Sequence, residues 1–561
     1  MRALTAPLYE LSEFEEIRKL LKKPGKYAAL TGCVESQKLH MAYGLSEGLR
    51  CRLIVTFSDQ RMKELQEDYR FYDRNTTCFP ARDVIFYQAD IHGNQLTKER
   101  IRCFRRMMEG RPFTVVTTFG SLLAPQIPLS VFRDNVITVS CNGSLDEKKM
   151  VEELVKLGYE NVYQVEAPGQ FSIRGGIIDI FDLTEENPYR IELWGDDVES
   201  IRSFDVQSQR SIEKLSSIMI YPACELILTE EQLKKGMERI EKESKKFSEK
   251  LRKEFKTEEA HRVEEQMNTL KEEVFAYKSL ANLDGYVRYF YEDTVSFLNC
   301  LDVENSIVFL DEPARIREHA SAVELEFRES MSHRLEKGYI LPGQADFLYS
   351  VAEVTARMSA FRLASLAALD LKGGLLKPDW KADISAKSIS SYNNSFEALV
   401  SDLQRYKKNG YRVLLLSGSR TRAKRLAADL SEDGLTSFYT EDPDREIKPG
   451  EIMTFYGRVF RGFEYPLLKF AVISESDIFG AEKKKKKKKK QYEGRKINDF
   501  SELSVGDYVV HENHGLGIYQ GIEKVEVEKV VKDYIKISYR DGGILYVLAT
   551  GLDVIQKYVF K

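Results

Sequence analysis

The sequence predicts an α/β multidomain protein: a parallel-sheet domain with a β-rich insert, a second α/β domain, and a small β-barrel at the C-terminus. Short apolar strands alternate with amphipathic helices in residues 1–130, which is the pattern of a parallel sheet. Residues 131–216 and the last part of the chain change to closely spaced strands with glycine turns. The length of 561 residues fits this division, because one hydrophobic core rarely grows beyond ~250–300 residues.

The parallel-sheet domain is predicted in two segments, residues 1–130 and 217–378. The first segment has apolar strand patterns at 27–31, 52–57 and 113–118 and a helical pattern at 60–71. The second segment begins with a stretch rich in Glu and Lys at 229–281, where apolar residues at helical spacing predict one or two long exposed helices. A buried strand is predicted at 305–312.

Residues 131–216 are predicted to form a compact, mostly antiparallel insert. Its β-rich segments at 170–181 and 189–194 are interrupted by glycine turn signals. Arg174, Arg190 and Trp194 lie on these strands, and Arg and Trp are frequent interface anchors because they combine contact area with polar reach. From the residues alone, a purely structural role for the three side chains stays open.

The remaining chain predicts a second α/β domain, a linker and a small barrel. Residues 379–480 contain buried strand patterns at 411–416 and 468–473. An unbroken run of eight lysines occupies 483–490, so residues 481–497 are predicted to be a flexible linker, since like charges repel. Residues 498–561 show short strands with glycine turns, including a hairpin signal at 540–543, and a free edge strand there would suit strand-addition binding.

Bulk properties exclude several classes of protein. A net charge of −4 argues against non-specific nucleic-acid binding by the whole chain. The seven cysteines include no C-x-x-C pair, so the sequence predicts neither a disulfide framework nor a zinc site. There is no apolar run of ~18 residues and no signal-peptide core, so we expect a cytoplasmic protein without membrane contact.

One loop has part of a nucleotide-binding motif. Residues 31–39 follow a strand and precede a helical pattern, as a G-x-x-x-x-G-K-[ST] loop does. Gly32 and Lys38 fit this motif, but Gln37 replaces the second glycine and Leu39 replaces the hydroxyl that ligates Mg²⁺. We therefore interpret the segment as a degenerate phosphate loop that serves as scaffold.

The sequence offers no residue that we expect to be catalytic. Asp311 and Glu312 follow an apolar strand, as the Mg²⁺- and water-handling carboxylates of an NTPase do, but without a competent phosphate loop they have no nucleotide to serve. No second complete phosphate loop and no Ser/His/Asp arrangement occurs in the sequence. We expect no metal site and no cofactor in this chain.

Two long motifs resemble one protein family. The segment 168–181, Pro-Gly-Gln-Phe-Ser-Ile-Arg-Gly-Gly-Ile-Ile-Asp-Ile-Phe, continued at 190–205 and 208–210, is similar to the module shared by UvrB and the bacterial transcription-repair coupling factors. Residues 79–87 favour the coupling factors, and residues 509–519 resemble their CarD-like polymerase-interacting domain. The resemblance covers essentially the whole chain.

The resemblance implies specific folds and contact residues. Residues 1–378 would be UvrB-like, with a degenerate RecA-like domain around the insert, and residues 379–480 would be structural. The family's UvrA-contacting positions match Arg174, Arg190 and Trp194. Residues 498–561 would be a Tudor/SH3-like barrel that binds the β subunit of RNA polymerase. Its matching contact strand is 522–527, with the contact residues Ile522, Val525 at the centre, and Val527.

The expected function is therefore that of a non-catalytic adaptor in transcription-coupled DNA repair. It would dock on the polymerase β subunit and recruit UvrA, and the lysine run would add weak electrostatic contacts to DNA. The family continues into a translocase that uses ATP and Mg²⁺ and a C-terminal domain that masks the UvrA-binding surface; because this sequence stops at Lys561, we expect no enzyme activity and an exposed surface. Two alternatives stay open: a UvrB-like, ATP-dependent damage-processing helicase, and a CarD-like transcription regulator.

Overall fold

The computed structural model describes residues 1–82, 93–272, 274, 283–291, 293–480, 494–496, 505–511, 515–527, 530–539, 544–548 and 555–558. Two compact units make up the chain: residues 1–82 with 96–481, and residues 83–95 with 482–561. The lysine run at 483–490, the hairpin turn at 540–543 and most of the motif at 79–87 lie outside the described residues. No helix in the described ranges is both long and apolar enough to cross a membrane.

The N-terminal segment alternates strands and helices, as its sequence predicts. The predicted strands at 27–31 and 113–118 match the observed bounds, and the predicted strand at 52–57 is shifted by one residue. The elements are α1 Arg2–Thr5, α2 Ser12–Leu20, β1 Tyr27–Thr31, α3 Glu35–Leu45, β2 Cys51–Thr56, α4 Asp59–Tyr69, β3 Thr76–Phe79, α5 Gly93–Met108, β4 Phe113–Thr118, α6 Phe119–Leu123, β5 Pro125–Gln126 and α7 Leu129–Asp134.

The insert contains a six-stranded sheet in the order β12-β11-β10-β9-β8-β7. All its pairings are antiparallel except that of β7 with β8, so the prediction of a mostly antiparallel insert is confirmed. Gly175 and Gly176, both with positive φ, form the tight turn between two of its strands. The elements are β6 Ile137–Ser140, α8 Glu147–Lys156, β7 Glu160–Asn161, β8 Gln170–Arg174, β9 Ile177–Ile180, β10 Tyr189–Trp194, β11 Asp197–Phe204, β12 Ser211–Leu215 and β13 Ser217–Ile220.

The chain then returns to the first sheet. That sheet has seven strands in the order β17-β1-β16-β15-β2-β4-β3, and every pairing in it is parallel. The predicted long helices are present as α9 and α10, within the residues described. The elements are α9 Glu230–Lys253, α10 Thr257–Lys271, α11 Val287–Phe290, β14 Val295–Ser296, β15 Ser306–Asp311, α12 Pro313–Glu336, α13 Pro342–Ala345, α14 Val351–Met358, β16 Arg362–Leu366 and β17 Trp380–Asp383.

A second α/β sheet follows, in the order β18-β22-β23-β19-β21-β20. Strands β23, β19, β21 and β20 are mutually parallel, while β22 pairs antiparallel with both of its neighbours. The elements are β18 Lys387–Ser388, α15 Phe396–Lys408, β19 Arg412–Ser417, α16 Arg420–Glu432, β20 Ser437–Tyr439, β21 Ile452–Tyr456, β22 Phe463–Tyr465, β23 Phe470–Ile473 and α17 Glu475–Phe479.

The two α/β sheets share one hydrophobic core. A single cluster of buried side chains joins Leu30 and Ile54 of the first sheet to Leu416 and Val472 of the second. The helix α3, which follows the degenerate phosphate loop, contributes Leu39 to the same cluster. Burial of apolar surface, at about 25 cal/mol per Å², therefore stabilises both sheets together.

The C-terminal unit contains a six-stranded antiparallel sheet in the order β24-β29-β25-β26-β27-β28. The α/β multidomain fold is confirmed, but no pairing among the described residues closes this sheet, so the barrel itself stays a prediction. The elements are β24 Gly494–Lys496, β25 Tyr508–His511, β26 Gly515–Val527, β27 Val530–Ser538, β28 Ile544–Leu548 and β29 Ile555–Tyr558.

Candidate functional site

The degenerate phosphate loop at 31–39 begins at the end of β1. Its residues from Glu35 onwards already belong to helix α3. Helix α3 begins at Glu35, and the Lys38 N–H donates to the Val34 carbonyl within the helix. A phosphate-binding loop instead needs several backbone N–H groups turned towards one point. Gly32 has a φ of +69°, and a Cβ there would lie 2.8 Å from an oxygen of Asp383. Close packing against the residues that end β17 therefore already requires this glycine.

Gln37 occupies the place of the missing glycine and closes the helix terminus itself. Its side-chain oxygen accepts the Val34 N–H at 3.1 Å, and its amide nitrogen donates to the Tyr465 hydroxyl at 3.0 Å. The Tyr465 hydroxyl in turn donates to Nδ1 of His40 at 2.9 Å. Gln37 and His40 are fully buried, and Leu39 packs in the core. The Gln37 side chain thus accepts the hydrogen bond of the Val34 N–H, a backbone group of the kind that donates to phosphate in a working loop.

Lys38 is held by carboxylates of the protein. Its ammonium lies 2.8 Å from Asp311 and 2.5 Å from Glu312, with 6% of its side chain exposed. Burial alone would lower the pKa of Lys38, but the two carboxylates outweigh it and hold the pKa above its ordinary value. Arg61 and Thr56 donate to the other oxygen of Asp311 at 3.1 and 3.0 Å. The Asp311 carboxylate is therefore fully engaged by protein groups.

The second α/β domain covers the start of α3. The backbone N–H of Arg461 donates to the Ser36 hydroxyl at 3.0 Å, and the N–H of Phe460 donates to Asp68 at 2.7 Å. Ser36 is 1% exposed as a result. The geometry of the loop favours a structural joint between two domains over a nucleotide pocket.

The insert presents one polar face, on which Arg174 and Arg190 meet at a single carboxylate. Asp179 lies on β9, opposite Arg190 of β10. Arg190 contacts both of its oxygens, at 2.7 and 2.8 Å, and Arg174 contacts one at 3.2 Å. Asp179 is 2% exposed and Arg174 is 40% exposed. The carboxylate thus holds the exposed guanidinium of Arg174 beside that of Arg190, whose side chain is 16% exposed.

Trp194 ends β10 on this insert and is 79% exposed. A large aromatic side chain left in water is a feature of protein-binding surfaces. Tyr163 is 85% exposed, and the guanidinium of Arg174 lies 5.7 Å from its ring centre. The opposite face of the sheet carries Phe171 and Ile178, both fully buried. One face therefore holds the domain together while the other is available to a partner.

In the C-terminal sheet, strand β26 is longer than its neighbour on one side. It pairs with β25 only over Gly515–Ile518, whereas it pairs with β27 from Ile518 to Val527. Within the described residues, the backbone edge around 522–527 therefore has no paired strand on its second side. Ile522 is 45% exposed, and Val525 lies in register with Lys532. Such an edge can accept an added strand.

Comparison with known proteins links these surfaces to one family. The UvrB interaction domain matches residues 137–226, and the CarD-like/TRCF RID domain matches residues 503–559. The transcription-repair-coupling factor of Bacillus subtilis (strain 168) is 33% identical over 489 residues, which are 87% of this chain and 41% of that protein. The chain belongs to the transcription-repair-coupling factor family.

The match extends along the whole chain in a second relative. The transcription-repair-coupling factor of Staphylococcus aureus (strain MRSA252) is 27% identical over 564 residues, covering 100% of this chain and 47% of that protein. The chain thus spans less than half the length of these curated relatives and corresponds to the N-terminal portion of such a factor. Arg174, Arg190 and Trp194 lie inside the range of the first matched domain.

Sequence reasoning missed three residues that organise these sites. Asp179 had a local signal, since it is the one charged residue in the strand Ile177–Ile180. Arg61 had none beyond its place on an amphipathic helix. Tyr465 had none either, because it is 428 residues from Gln37 along the chain. No group of three His, Cys, Asp or Glu side chains that could hold a metal ion occurs in the part of the chain that the structure describes.

Proposed function

We propose that this chain is a non-catalytic adaptor of transcription-coupled DNA repair, which recruits UvrA through the insert and docks on the RNA polymerase β subunit through the C-terminal sheet. The observation that carries the proposal is the pair of matched domains. The first has exposed arginine and tryptophan side chains, and the second has a strand edge without a paired neighbour among the described residues. Arg174, Arg190 and Trp194 would contact UvrA. Such a protein would act in the cytoplasm.

The arrangement of the insert supports the first half of this proposal. Arginine and tryptophan anchors dominate many interfaces when they are held in place before binding, because less side-chain entropy is lost. Asp179 holds both arginines, and Trp194 lies at the end of the strand that carries Arg190. UvrA would meet this polar face while the buried face keeps the sheet intact.

The edge of β26 supports the second half. A strand of the polymerase β subunit would pair with the backbone at 522–527, and Ile522, Val525 and Val527 would flank that pairing. Strand addition gives affinity through backbone hydrogen bonds and specificity through alternate side chains. The lysine run would add weak, salt-dependent contacts to DNA.

A pull-down with purified UvrA and a purified polymerase β fragment tests the adaptor. We expect the chain to retain both, and Arg174→Ala or Trp194→Ala to weaken UvrA binding by at least about tenfold, since interface anchors cost more than 1 kcal/mol when truncated. The matched controls are Arg425→Ala and Phe460→Ala, because both side chains are exposed and lie on the second α/β domain. Unchanged UvrA binding in the Arg174→Ala and Trp194→Ala variants, or failure of the unchanged chain to retain both partners, would contradict the assignment.

The same assay separates the alternatives. A CarD-like regulator would retain the polymerase fragment but not UvrA. A UvrB-like helicase would show DNA-stimulated ATP hydrolysis by this chain alone. We expect no such hydrolysis, because Lys38 is committed to Asp311 and Glu312 and Gln37 fills the helix terminus.

A further inference from the structure

Five arginines line one cleft between the parallel-sheet domain and the insert. The cleft has a volume of about 540 Å³, within the range of ligand-binding clefts. Its walls come from the end of α4, the residues around β3, one face of α5 and the strands β10 to β12. The arginines are Arg70, Arg74, Arg102, Arg105 and Arg106. None of them belongs to the proposed UvrA or polymerase surfaces.

Helical spacing concentrates three of these charges. Arg102, Arg105 and Arg106 are three and four residues apart on α5, so their side chains leave the helix on the same face. Arg70 caps the C-terminal end of α4 and lines the same cleft. Like charges at this spacing destabilise a helix unless something neutralises them.

The carboxylates in the cleft neutralise only part of this charge. Three glutamates line it against the five arginines, and Glu109, which is not part of the lining, pairs with both Arg105 and Arg106. Arg105 is paired with Glu185 at 2.6 Å, and Arg106 is paired with Glu109 at 2.7 Å. The ion pairs among the described residues thus engage Arg105 and Arg106.

Arg102 is close enough to other arginines of the cleft for their charges to act on it. Its guanidinium donates to the Thr184 carbonyl at 3.3 Å, and the negative charge of Glu99 also acts on it. Burial, together with the charges of Arg106, Arg105 and Arg70, lowers its pKa. The Nε of Arg106 is also buried without a hydrogen-bond partner in the described part of the chain. A bound anion would relieve both deficits.

We propose that this arginine cleft binds phosphate groups, supplied by a nucleic-acid backbone or by a free nucleotide. Guanidinium groups bind phosphate through two parallel hydrogen bonds, and a phosphate concentrates its charge on oxygens that several arginines can share. A carboxylate carries less charge and satisfies fewer donors. The site is separate from the degenerate phosphate loop, whose lysine is already engaged by Asp311 and Glu312.

Binding to the full chain tests the proposal with three probes: pyrophosphate, a fluorescent oligo-dT strand and poly-glutamate. Because the lysines at 483–490 would bind oligo-dT regardless, the DNA arm also uses a chain with those lysines replaced by serine. We expect Arg102→Gln and Arg70→Gln to weaken pyrophosphate binding about tenfold or more. If DNA is the source, each variant also lowers the slope of log affinity against log salt by about 0.7.

The controls make the outcome decisive. Arg425→Gln removes the same charge from an exposed helix outside the cleft, and Arg70 is exposed enough that its replacement leaves folding intact. An effect on pyrophosphate but not on oligo-dT would identify a free nucleotide as the source. Equal binding by Arg70→Gln, Arg102→Gln and Arg425→Gln would overturn the proposal. Binding of poly-glutamate to the cleft that is as tight as the binding of pyrophosphate would also overturn the proposal.

Discussion

Lys38 has the position of a phosphate-loop lysine but the surroundings of a structural ion pair. Its ammonium contacts Asp311 and Glu312, and all three side chains are largely buried. Removing one partner of a buried ion pair leaves an uncompensated charge, which is far more costly than the loss of a surface pair. The sequence could not predict this commitment, because Asp311 is 273 residues from Lys38 along the chain.

Replacement of this lysine should therefore destabilise the fold. We expect Lys38→Ala to lower the free energy of unfolding by about 3–5 kcal/mol, measured by urea denaturation. The control is Lys26→Ala, whose half-exposed ammonium lies 3.8 Å from Asp379 and should contribute less than about 1 kcal/mol. Equal losses in the two variants would show that Lys38 is not held as described.

His40 gives the fold a dependence on pH. Its ring is fully buried, Nε2 donates to the Leu4 carbonyl at 2.8 Å, and burial lowers its pKa from 6.5 to about 4. Between these two values the unfolded chain binds a proton that the folded chain does not, so stability falls as the pH falls. Asp68 acts in the opposite direction, because burial raises its pKa to about 6.

The contribution of His40 to the pH dependence of stability is measured by comparing the wild type with a His40→Gln variant. We expect the stability of the wild type relative to His40→Gln to decrease by about 2 kcal/mol between pH 7 and pH 5. Urea denaturation of both proteins at each pH measures it, and Asp68 cancels because both proteins contain it. A difference that does not vary with pH would mean that the ring is accessible to protons in the folded state.

At the scale of elements, strand β26 matters because it extends beyond β25. Its first residues pair with β25, Ile518 pairs with both neighbours, and its last residues are paired only with β27 among the described residues. The sequence predicted strands and turns here and a contact at 522–527, but pairing partners depend on register. The register shift between Tyr519 and Gly521 is an irregularity that alternation of residue types does not reveal.

A charge on this edge should interfere with docking. We expect Ile522→Lys to weaken binding of the polymerase β fragment by about tenfold or more, because an added strand would bury a lysine beside it. Tyr508→Lys is the matched control: Tyr508 is 41% exposed and lies on β25, which has neighbours on both sides. Circular dichroism first checks that both variants are folded, and a binding assay then measures the affinity of each for the polymerase β fragment. Equal affinities would contradict docking at the 522–527 edge of β26.

At the scale of the whole molecule, we expect the two α/β sheets to unfold as one cooperative body. They share a core, and Arg412 of the second sheet contacts both oxygens of Glu10 at 2.6 and 2.8 Å. Tyr465 links them through its hydroxyl, which contacts both Gln37 and His40. Each sheet therefore loses packing and hydrogen bonds when the other unfolds.

Tyr465→Phe tests this coupling. The variant leaves two buried polar groups unsatisfied, so we expect a loss of about 1–3 kcal/mol and a single calorimetric transition for both sheets that shifts to lower temperature. Tyr406→Phe is the control, because the one hydrogen bond of its hydroxyl among the described residues goes to Glu464 within the second domain. Separate transitions for the two sheets in the Tyr465 variant would contradict one cooperative body.

The sequence by itself determined the α/β class, most strand positions and the family, because hydrophobic periodicity and long local motifs are properties of neighbouring residues. It also located the degenerate loop, since Gln37 and Leu39 are visible in the motif. Only the tertiary structure decided what the side chains of this loop contact: Asp311 and Glu312 hold Lys38, and Tyr465 holds Gln37. It also brought the arginines of α4 and α5 to one cleft with the insert. These contacts join residues that are far apart in the chain. They form because the domains pack against each other, and no local sequence pattern encodes that packing.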